Sequence, residues 1–161
     1  MRDEVLIKLR VNGVWREVWV RPNERLLDVL RDRLSLRSVK AGCLRGECGL
    51  CTIIMNGQLV KSCLVLAVEA DGADIVTLEG IGEPGKPSLV QKAFIEKFGF
   101  QCGFCTPAFI LITHWLCRNM PQASVEEVKK VLNSAICRCT GYEQILDAVM
   151  YALRSCREGR E

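Results

Sequence analysis

The sequence predicts an α+β protein, in which a small mixed sheet comes first and a bundle of four helices follows. Apolar residues alternate with a period of two up to about residue 78, and recur at helical spacing beyond residue 88. Between these regions, residues 80–87 contain three glycines and two prolines, a composition typical of a linker. We therefore expect two domains, spanning residues 1–80 and 81–161.

Two hairpins and one helix are predicted in the first half of the chain. Asn12-Gly13 and Asn56-Gly57 each separate two apolar runs, and this dipeptide favours the type I′ turn of a hairpin. Four leucines at helical spacing predict a helix over residues 24–34, whereas residues 63–69 are ambiguous. The predicted strands are 5–11, 14–20, 52–55, 58–60 and 75–78.

Four helices are predicted in the second half, and their capping residues mark where they begin. Thr106-Pro107 supplies an N-cap and a proline at the first helical position. Ser124–Glu127 and Thr140–Glu143 each match a capping box. The predicted helices span 88–98, 107–117, 124–132 and 140–154. Antiparallel pairs of such helices with a buried seam predict a four-helix bundle.

The bulk composition narrows the classes of protein to consider. With 49% hydrophobic and 25% charged residues the chain is ordinarily globular, and its net charge of +3 comes without the basic run of a nucleic-acid binder. Residues 1–10 lack the features of a signal peptide, and no apolar run reaches the ~20 residues of a membrane span. We therefore expect a soluble, cytoplasmic protein, in which ten cysteines argue for metal rather than disulfides.

A first quartet of cysteines follows the predicted N-terminal helix. Cys43, Cys48, Cys51 and Cys63 have the C-x4-C-x2-C…C spacing of a plant-type ferredoxin with two irons and two sulfides. Glycines stand among them, so the loop can wrap closely and turn backbone N–H groups toward the negatively charged sulfurs. The sequence therefore predicts a [2Fe–2S] cluster held by these four thiolates.

A second quartet consists of Cys102, Cys105, Cys137 and Cys139. Cys105 and Cys139 each precede a predicted helix cap, and a helix N-terminus favours a thiolate. We expect the four thiols to hold one cluster at one end of the bundle. Taken alone, the spacing fits structural zinc as well as iron and sulfur, and the first quartet shifts the balance to [2Fe–2S]. A thioredoxin-like pair or a disulfide is less favoured, since no βαβ pattern surrounds these residues.

Three other reactive residues receive structural interpretations. Cys117 lies within an apolar helix and is predicted to be a small core residue, and Cys156 to be a free thiol near the tail. His114 is the only histidine, and we expect it to be a packed side chain rather than a ligand. No catalytic triad, zinc-hydrolase helix or dinucleotide fingerprint is present in the sequence.

Three motifs together resemble one protein family. Residues 40–52 (KAGCLRGECGLCT), 101–107 (QCGFCTP) and 137–142 (CRCTGY) look like the small iron–sulfur subunit of the molybdenum hydroxylases. This is the family of xanthine dehydrogenase, aldehyde oxidoreductase and carbon monoxide dehydrogenase. The resemblance extends over about residues 5–153 and preserves all eight cysteines in order.

The resemblance implies both a fold and a function. It implies a plant-type ferredoxin-like β-grasp domain followed by a four-helix-bundle domain, each with one [2Fe–2S] cluster. It further implies an oxidoreductase complex, a heterotrimer or a dimer of heterotrimers, with a large molybdenum-pterin subunit and a medium FAD subunit. Electrons would then be relayed from molybdenum through the helical domain and the ferredoxin-like domain to FAD. By resemblance, Gln101 and Cys139 approach the pterin of the large subunit.

The sequence departs from the family pattern at a few positions that are not ligands. Ala108 replaces a usual glycine, Leu50 stands where alanine is common, and Ser134-Ala135 replaces Gly-Asn. The missing asparagine removes a side chain that could hydrogen-bond beside the second cluster. Two other functions stay open: a free-standing two-cluster carrier, and a zinc-stabilised interaction module. We expect partner chains to contact the aromatic side chains of Trp15, Trp19, Phe100 and Phe104.

Overall fold

The computed structural model describes residues 4–83 and 85–159, and its first half contains a five-stranded mixed sheet. The strand order is β2-β1-β5-β3-β4, with β1 and β5 parallel and the other pairs antiparallel. The strands are β1 (Val5–Val11), β2 (Val14–Val20), β3 (Thr52–Met55), β4 (Gln58–Lys61) and β5 (Asp74–Val76). The last strand is therefore shorter than the sequence predicts, because a 3₁₀ turn begins at Leu78.

Both predicted hairpin turns are present in the structure. Asn12 and Gly13 have φ values of 50° and 82°, and Asn56 and Gly57 have values of 50° and 80°. Positive φ at both central residues is the condition of a type I′ turn, whose twist matches that of the paired strands. The Asn-Gly dipeptides thus fix the register of β1 with β2 and of β3 with β4.

The predicted N-terminal helix is shorter than expected and changes pitch. Its α-helical part is α1 (Leu26–Asp28), which continues as a π-helical turn over Val29–Arg33. The wider turn keeps Leu26, Leu27, Val29 and Leu30 buried together against the sheet. The ambiguous segment that follows β4 forms two 3₁₀ turns, Ser62–Leu64 and Ala67–Ala70.

The second half is helical, as the sequence predicts, and the α+β fold class is confirmed. Its helices are α2 (Leu89–Glu96), α3 (Thr106–Asn119), α4 (Val125–Leu132) and α5 (Glu143–Arg157). The Ser124 capping box is present, and Ser88 forms a second box with Gln91 that was not predicted. No described helix is long and apolar enough to cross a membrane.

Two of the predicted helix caps are wrong. Thr106 is the first residue of α3 rather than its cap, and its hydroxyl is buried without a hydrogen-bond partner. The predicted box at Thr140 does not form, because Tyr142, at φ 71°, is the residue that precedes α5. The Thr140 hydroxyl bonds to the sulfur of Cys137 instead. Both failures lie beside cysteines, and at Thr140 the hydroxyl serves a thiol instead of the helix.

Two clusters of buried apolar side chains form the cores of the two halves. One lies between the sheet and α1, and the other is enclosed by the four C-terminal helices. The halves are in direct contact, since Leu50 and Leu59 pack against the helical core. The indole Nε1 of Trp115 also donates to the carbonyl oxygen of Gly57 over 2.8 Å. The helical half is therefore fixed against the β3–β4 hairpin.

A disulfide links α3 to the C-terminal end of α5, which corrects the predictions for Cys117 and Cys156. Their sulfurs are bonded, and their Cα atoms are 6.0 Å apart, a separation that suits a disulfide. The two helices pack side by side, so cysteines 39 positions apart in sequence become neighbours. Cys156 is therefore not a free thiol, and Cys117 is a disulfide partner rather than only a small core residue.

Candidate metal centres

The first quartet is assembled by the loop between α1 and β3 together with the turn after β4. Cys43, Cys48 and Cys51 come from the loop, and Cys63 lies in the 3₁₀ turn. The hydroxyl of Ser62 donates to the carbonyl of Cys51 over 2.8 Å, which holds the turn against the loop. The Cys51 and Cys63 thiols lie close enough to interact.

Backbone N–H groups surround the sulfurs of the first quartet. The N–H groups of Glu47 and Cys48 each lie 3.3 Å from the Cys43 sulfur, and the N–H of Cys43 lies 3.4 Å from the Cys48 sulfur. Bonds from the backbone of Arg45 and Cys48 lower the pKa of Cys43 to about 6. Burial has the opposite effect at Cys51, where it raises the pKa to about 11. The exposed side of the loop thus already favours thiolate.

A glycine leaves the space that the loop needs around its sulfurs. A Cβ atom added to Gly42 would lie 2.8 Å from the Cys48 sulfur, closer than real Cβ contacts allow. A side chain at this position would therefore push Cys48 away from Cys43. This confined backbone is a cradle that only glycine permits, and it fits a compact group bound by the thiols.

The second quartet lies between the start of α3 and the segment that leads into α5. Cys102 and Cys139 are exposed, and the Cys139 thiol donates to the Cys102 sulfur over 3.5 Å. Cys105 and Cys137 are buried and in contact with each other. Burial, together with the bond to Cys137, raises the pKa of Cys105 to about 12. The free amides at the start of α3 do not overcome that burial.

Cys139 does not lie at a helix start, which corrects part of the sequence interpretation. Helix α5 begins at Glu143, and Gly141 and Tyr142 both adopt positive φ before it. The two cysteines that were expected at facing helix starts are therefore presented differently. Cys105 directly precedes α3, whereas Cys139 projects from an irregular segment.

A hydrogen-bond network centred on Thr140 and Tyr142 supports Cys137. The Thr140 hydroxyl donates to the Cys137 sulfur over 3.1 Å, and the Cys137 N–H donates to the Tyr142 hydroxyl over 2.9 Å. The Tyr142 ring packs edge-on against Phe109 with 6.2 Å between centroids. The sequence did not predict a role at the site for either residue. Their position in the sequence, within five residues of Cys137 and Cys139, is the feature that could have indicated such a role.

In both quartets the thiols contact each other in pairs. The pairs are Cys43 with Cys48, Cys51 with Cys63, Cys102 with Cys139, and Cys105 with Cys137. Within the described residues, no three His, Cys, Asp or Glu side chains are grouped as ligands of one metal ion. A two-iron cluster takes two thiolates on each iron, whereas structural zinc takes four thiolates around one point. The pairwise arrangement therefore fits [2Fe–2S] better than zinc.

The two quartets are joined by a direct backbone contact. The N–H of Ile136 donates to the carbonyl oxygen of Cys48 over 2.9 Å. Gly49 packs against the same segment so closely that an added Cβ would lie 2.0 Å from the carbonyl oxygen of Ser134. Ala135 is buried at this contact. Residues 134–136 thus form the junction between the two sites, and Ser134 and Ala135 are the two of them that depart from the pattern expected from the resemblance.

Gln101 and His114 are the other two residues for which the sequence suggested or excluded a role at a site. Gln101 is exposed beside Cys102, so it lies on the same surface as Cys139. His114 lies on α3, partly buried, and burial together with the nearby Arg118 lowers its pKa to about 4. A neutral, partly buried imidazole agrees with the prediction of a packed side chain.

Comparisons with known proteins match a separate family model to each half of the chain. Residues 9–75 match the family model for a 2Fe-2S iron-sulfur cluster binding domain, and residues 77–150 match the model for a [2Fe-2S] binding domain. The small FeS subunit of nicotinate dehydrogenase from Eubacterium barkeri is 47% identical over 154 residues, which cover 96% of this chain and 98% of that subunit.

Solved structures extend the comparison to the fold. Quinoline 2-oxidoreductase from Pseudomonas putida 86 contains a chain with a TM-score of 0.92 and 37% identity, with 98% of this chain and 99% of that chain covered. The aldehyde oxidoreductase of Desulfovibrio desulfuricans ATCC 27774 gives a TM-score of 0.91 and 42% identity over 97% of this chain, but only 17% of that longer chain. The chain belongs to the small iron–sulfur subunits of the molybdenum hydroxylases, and it contains two [2Fe–2S]-binding domains.

Proposed function

We propose that this chain is the electron-transfer subunit of a cytoplasmic molybdenum hydroxylase, relaying electrons from a molybdenum-pterin centre in a large subunit to FAD in a medium subunit. The observation that carries the proposal is the contact between the two cysteine quartets, through Cys48 and Ile136. A fixed relay that passes electrons through two centres in series needs those centres in close connection. The paired thiols and the hydrogen bond that joins their loops supply that arrangement.

The ligand assignment that supports this function uses all eight paired thiols. Cys43, Cys48, Cys51 and Cys63 would hold the first [2Fe–2S] cluster, and Cys102, Cys105, Cys137 and Cys139 the second. Each cluster, when bound, accepts and donates a single electron. The chain's own contribution is to fix the thiolates in pairs, to direct N–H groups at their sulfurs and to bury half of them.

The exposed edge of the second quartet supports the orientation toward a large subunit. Cys102 and Cys139 are open to solvent, and the flanking Phe100 and Phe104 side chains are also exposed. Large apolar side chains around an open redox site suit a protein partner better than water. By family resemblance, Gln101 and Cys139 would approach the pterin on this side. Domain limits near residues 80 and 81 would then separate the two redox sites.

A second exposed apolar surface lies on the outer face of the β1–β2 hairpin. Trp19 pairs with Leu6 across the strands, and Trp15 pairs with Arg10 on the same face. The apolar side chains of Leu6, Trp15 and Trp19 are all exposed, and β2 lies at the edge of the sheet. Such a face supports assembly with a further subunit, as in a heterotrimer or a dimer of heterotrimers.

Anaerobic purification of the chain with its co-expressed neighbours tests the proposal. We expect about four irons and four acid-labile sulfides per chain, and a stable complex with two larger chains that carry flavin and molybdenum. Stoichiometric zinc without sulfide would contradict the cluster assignment. A monomer with both clusters and no stable partners would instead support a free-standing electron carrier.

A further inference from the structure

The second quartet contains a hydroxyl-to-sulfur hydrogen bond that ligand placement alone does not require. The Thr140 hydroxyl lies 3.1 Å from the Cys137 sulfur, and the Thr140 N–H lies 3.5 Å from the same atom. Among the described residues, the sulfurs of the first quartet instead receive bonds from backbone N–H groups and neighbouring thiols. The sulfurs of the two quartets therefore have different electrostatic surroundings.

The direction of the Thr140 bond is set by Tyr142. The Tyr142 N–H donates to the Thr140 hydroxyl oxygen over 3.2 Å, which leaves the hydroxyl proton free to point at sulfur. A thiolate can only accept, so Thr140 must be the donor once Cys137 is a ligand. Hydrogen bonds in such a chain polarise one another, and each strengthens the next.

The backbone around this chain of bonds is tightly held. Tyr142 has φ 71°, and its hydroxyl accepts the N–H of Cys137 and donates to the carbonyl of Ala135. Ile136, between them, donates to Cys48 of the first loop. Because residues 135–137 are fixed from both sides, the Thr140 hydroxyl meets the Cys137 sulfur in a defined geometry.

A hydrogen bond to a ligand sulfur favours the state with more negative charge, which for an iron–sulfur centre is the reduced state. We propose that Thr140 is a positioning residue that raises the reduction potential of the second cluster through the Cys137 sulfur. This inference rests on the proposed function, since it requires Cys137 to be a cluster ligand. In the part of the chain that the structure describes, no hydroxyl hydrogen bond to sulfur of this kind is found at the first centre, whose sulfurs accept from backbone N–H groups.

Redox titration of the full-length chain, loaded with its clusters and followed by electron paramagnetic resonance, tests the inference. The variants are Thr140→Val and Thr140→Ala, which remove the hydroxyl with and without compensating bulk, and Thr140→Ser, which retains it. Thr113→Val is the matched control, because the buried Thr113 hydroxyl donates to the Phe109 carbonyl within α3 rather than to sulfur.

We expect both hydroxyl-free variants to move the midpoint of the second signal to a more negative potential and to leave the first unchanged. The Thr140→Ser and Thr113→Val variants should titrate like the wild-type chain. A second midpoint that stays in place in fully loaded Thr140→Val and Thr140→Ala chains would overturn this inference alone. A wild-type chain that binds no iron and sulfide would overturn the proposed function along with it.

Discussion

The N–H of Ile136 donates to the carbonyl oxygen of Cys48 over 2.9 Å, so a residue of the first cysteine loop is bonded to the neighbour of Cys137 in the second. The contact is possible because Gly49, at φ 67°, lets the first loop lie directly on residues 134 and 135. Covalent bonds and one hydrogen bond therefore connect the two sets of thiols.

Substituting Gly49 tests whether this junction contributes to stability and to the coupling between the two clusters. Gly49→Ala combines an unfavourable positive φ with a Cβ placed 2.0 Å from the Ser134 carbonyl oxygen, and we expect it to lower the free energy of unfolding by about 2–5 kcal/mol. The magnetic coupling between the two reduced clusters should weaken as the loops separate. Denaturant unfolding and low-temperature paramagnetic resonance measure the two effects.

Gly57→Ala is the matched control for Gly49→Ala. Gly57 has φ 80°, but an added Cβ would meet no atom within 4 Å, so only the backbone strain of about 1–2 kcal/mol applies. Equal losses of stability in the two variants would contradict the tight junction.

Removing the hydroxyl of Tyr142 should loosen the support of Cys137. In Tyr142→Phe the ring contact with Phe109 is kept, but the N–H of Cys137 loses its acceptor, at a cost of about 1–3 kcal/mol. We expect the second cluster to be lost faster on exposure to air. The loss is measured as the decrease in visible absorbance. Tyr142→Leu, which also loses the ring, should be more severe. A Phe variant as durable as the wild-type chain would show that the hydroxyl does not support the site.

The Cys117–Cys156 disulfide should stabilise the helical domain under oxidising conditions. It closes a loop of 39 residues between α3 and α5, which corresponds to about 4 kcal/mol in the chain-entropy treatment. We expect Cys156→Ser to unfold at lower denaturant concentration than the wild-type chain. With a strong thiol reductant present, the two proteins should unfold alike. If Cys156→Ser still unfolds at a lower denaturant concentration in the reductant, its loss of stability would come from altered packing and not from the missing disulfide.

The single histidine makes stability depend on pH. Burial, with a contribution from Arg118, lowers the pKa of His114 to about 4, below its value of 6.5 when unfolded. The unfolded state therefore binds the proton first as pH falls, so stability is full above pH 6.5 and declines between pH 6.5 and 4. With partial solvent screening, the decline should be about 2 kcal/mol. His114→Gln should flatten this interval, and an unchanged pH profile in the variant would exclude the assignment.

Local patterns explain what the sequence predicted correctly. The Asn-Gly dipeptides specify their own backbone conformation, so both hairpins were predictable. The capping box at Ser124 was predictable for the same reason, because its two partners are three residues apart. The cysteine spacings pointed to the quartets, whose members the fold brings together in pairs.

The features that the sequence did not reveal depend on tertiary contacts or on competition for one hydrogen bond. Thr140 matches a helix cap in sequence, but the nearby Cys137 sulfur takes its hydroxyl. Cys117 and Cys156 pair only because α3 and α5 pack together. The Ile136–Cys48 bond joins two loops that are remote in sequence, with no shared pattern to indicate it.

The most direct test of the central claim is a spin count by electron paramagnetic resonance on the fully reduced chain and two single-cysteine variants. We expect about two unpaired spins per wild-type chain, in two distinguishable signals, one from each cluster. Cys48→Ser should abolish or strongly alter one signal, and Cys137→Ser the other, each leaving its counterpart in place. A single wild-type signal, or the loss of both signals in one folded variant, would contradict two separate [2Fe–2S] centres held by the paired thiols.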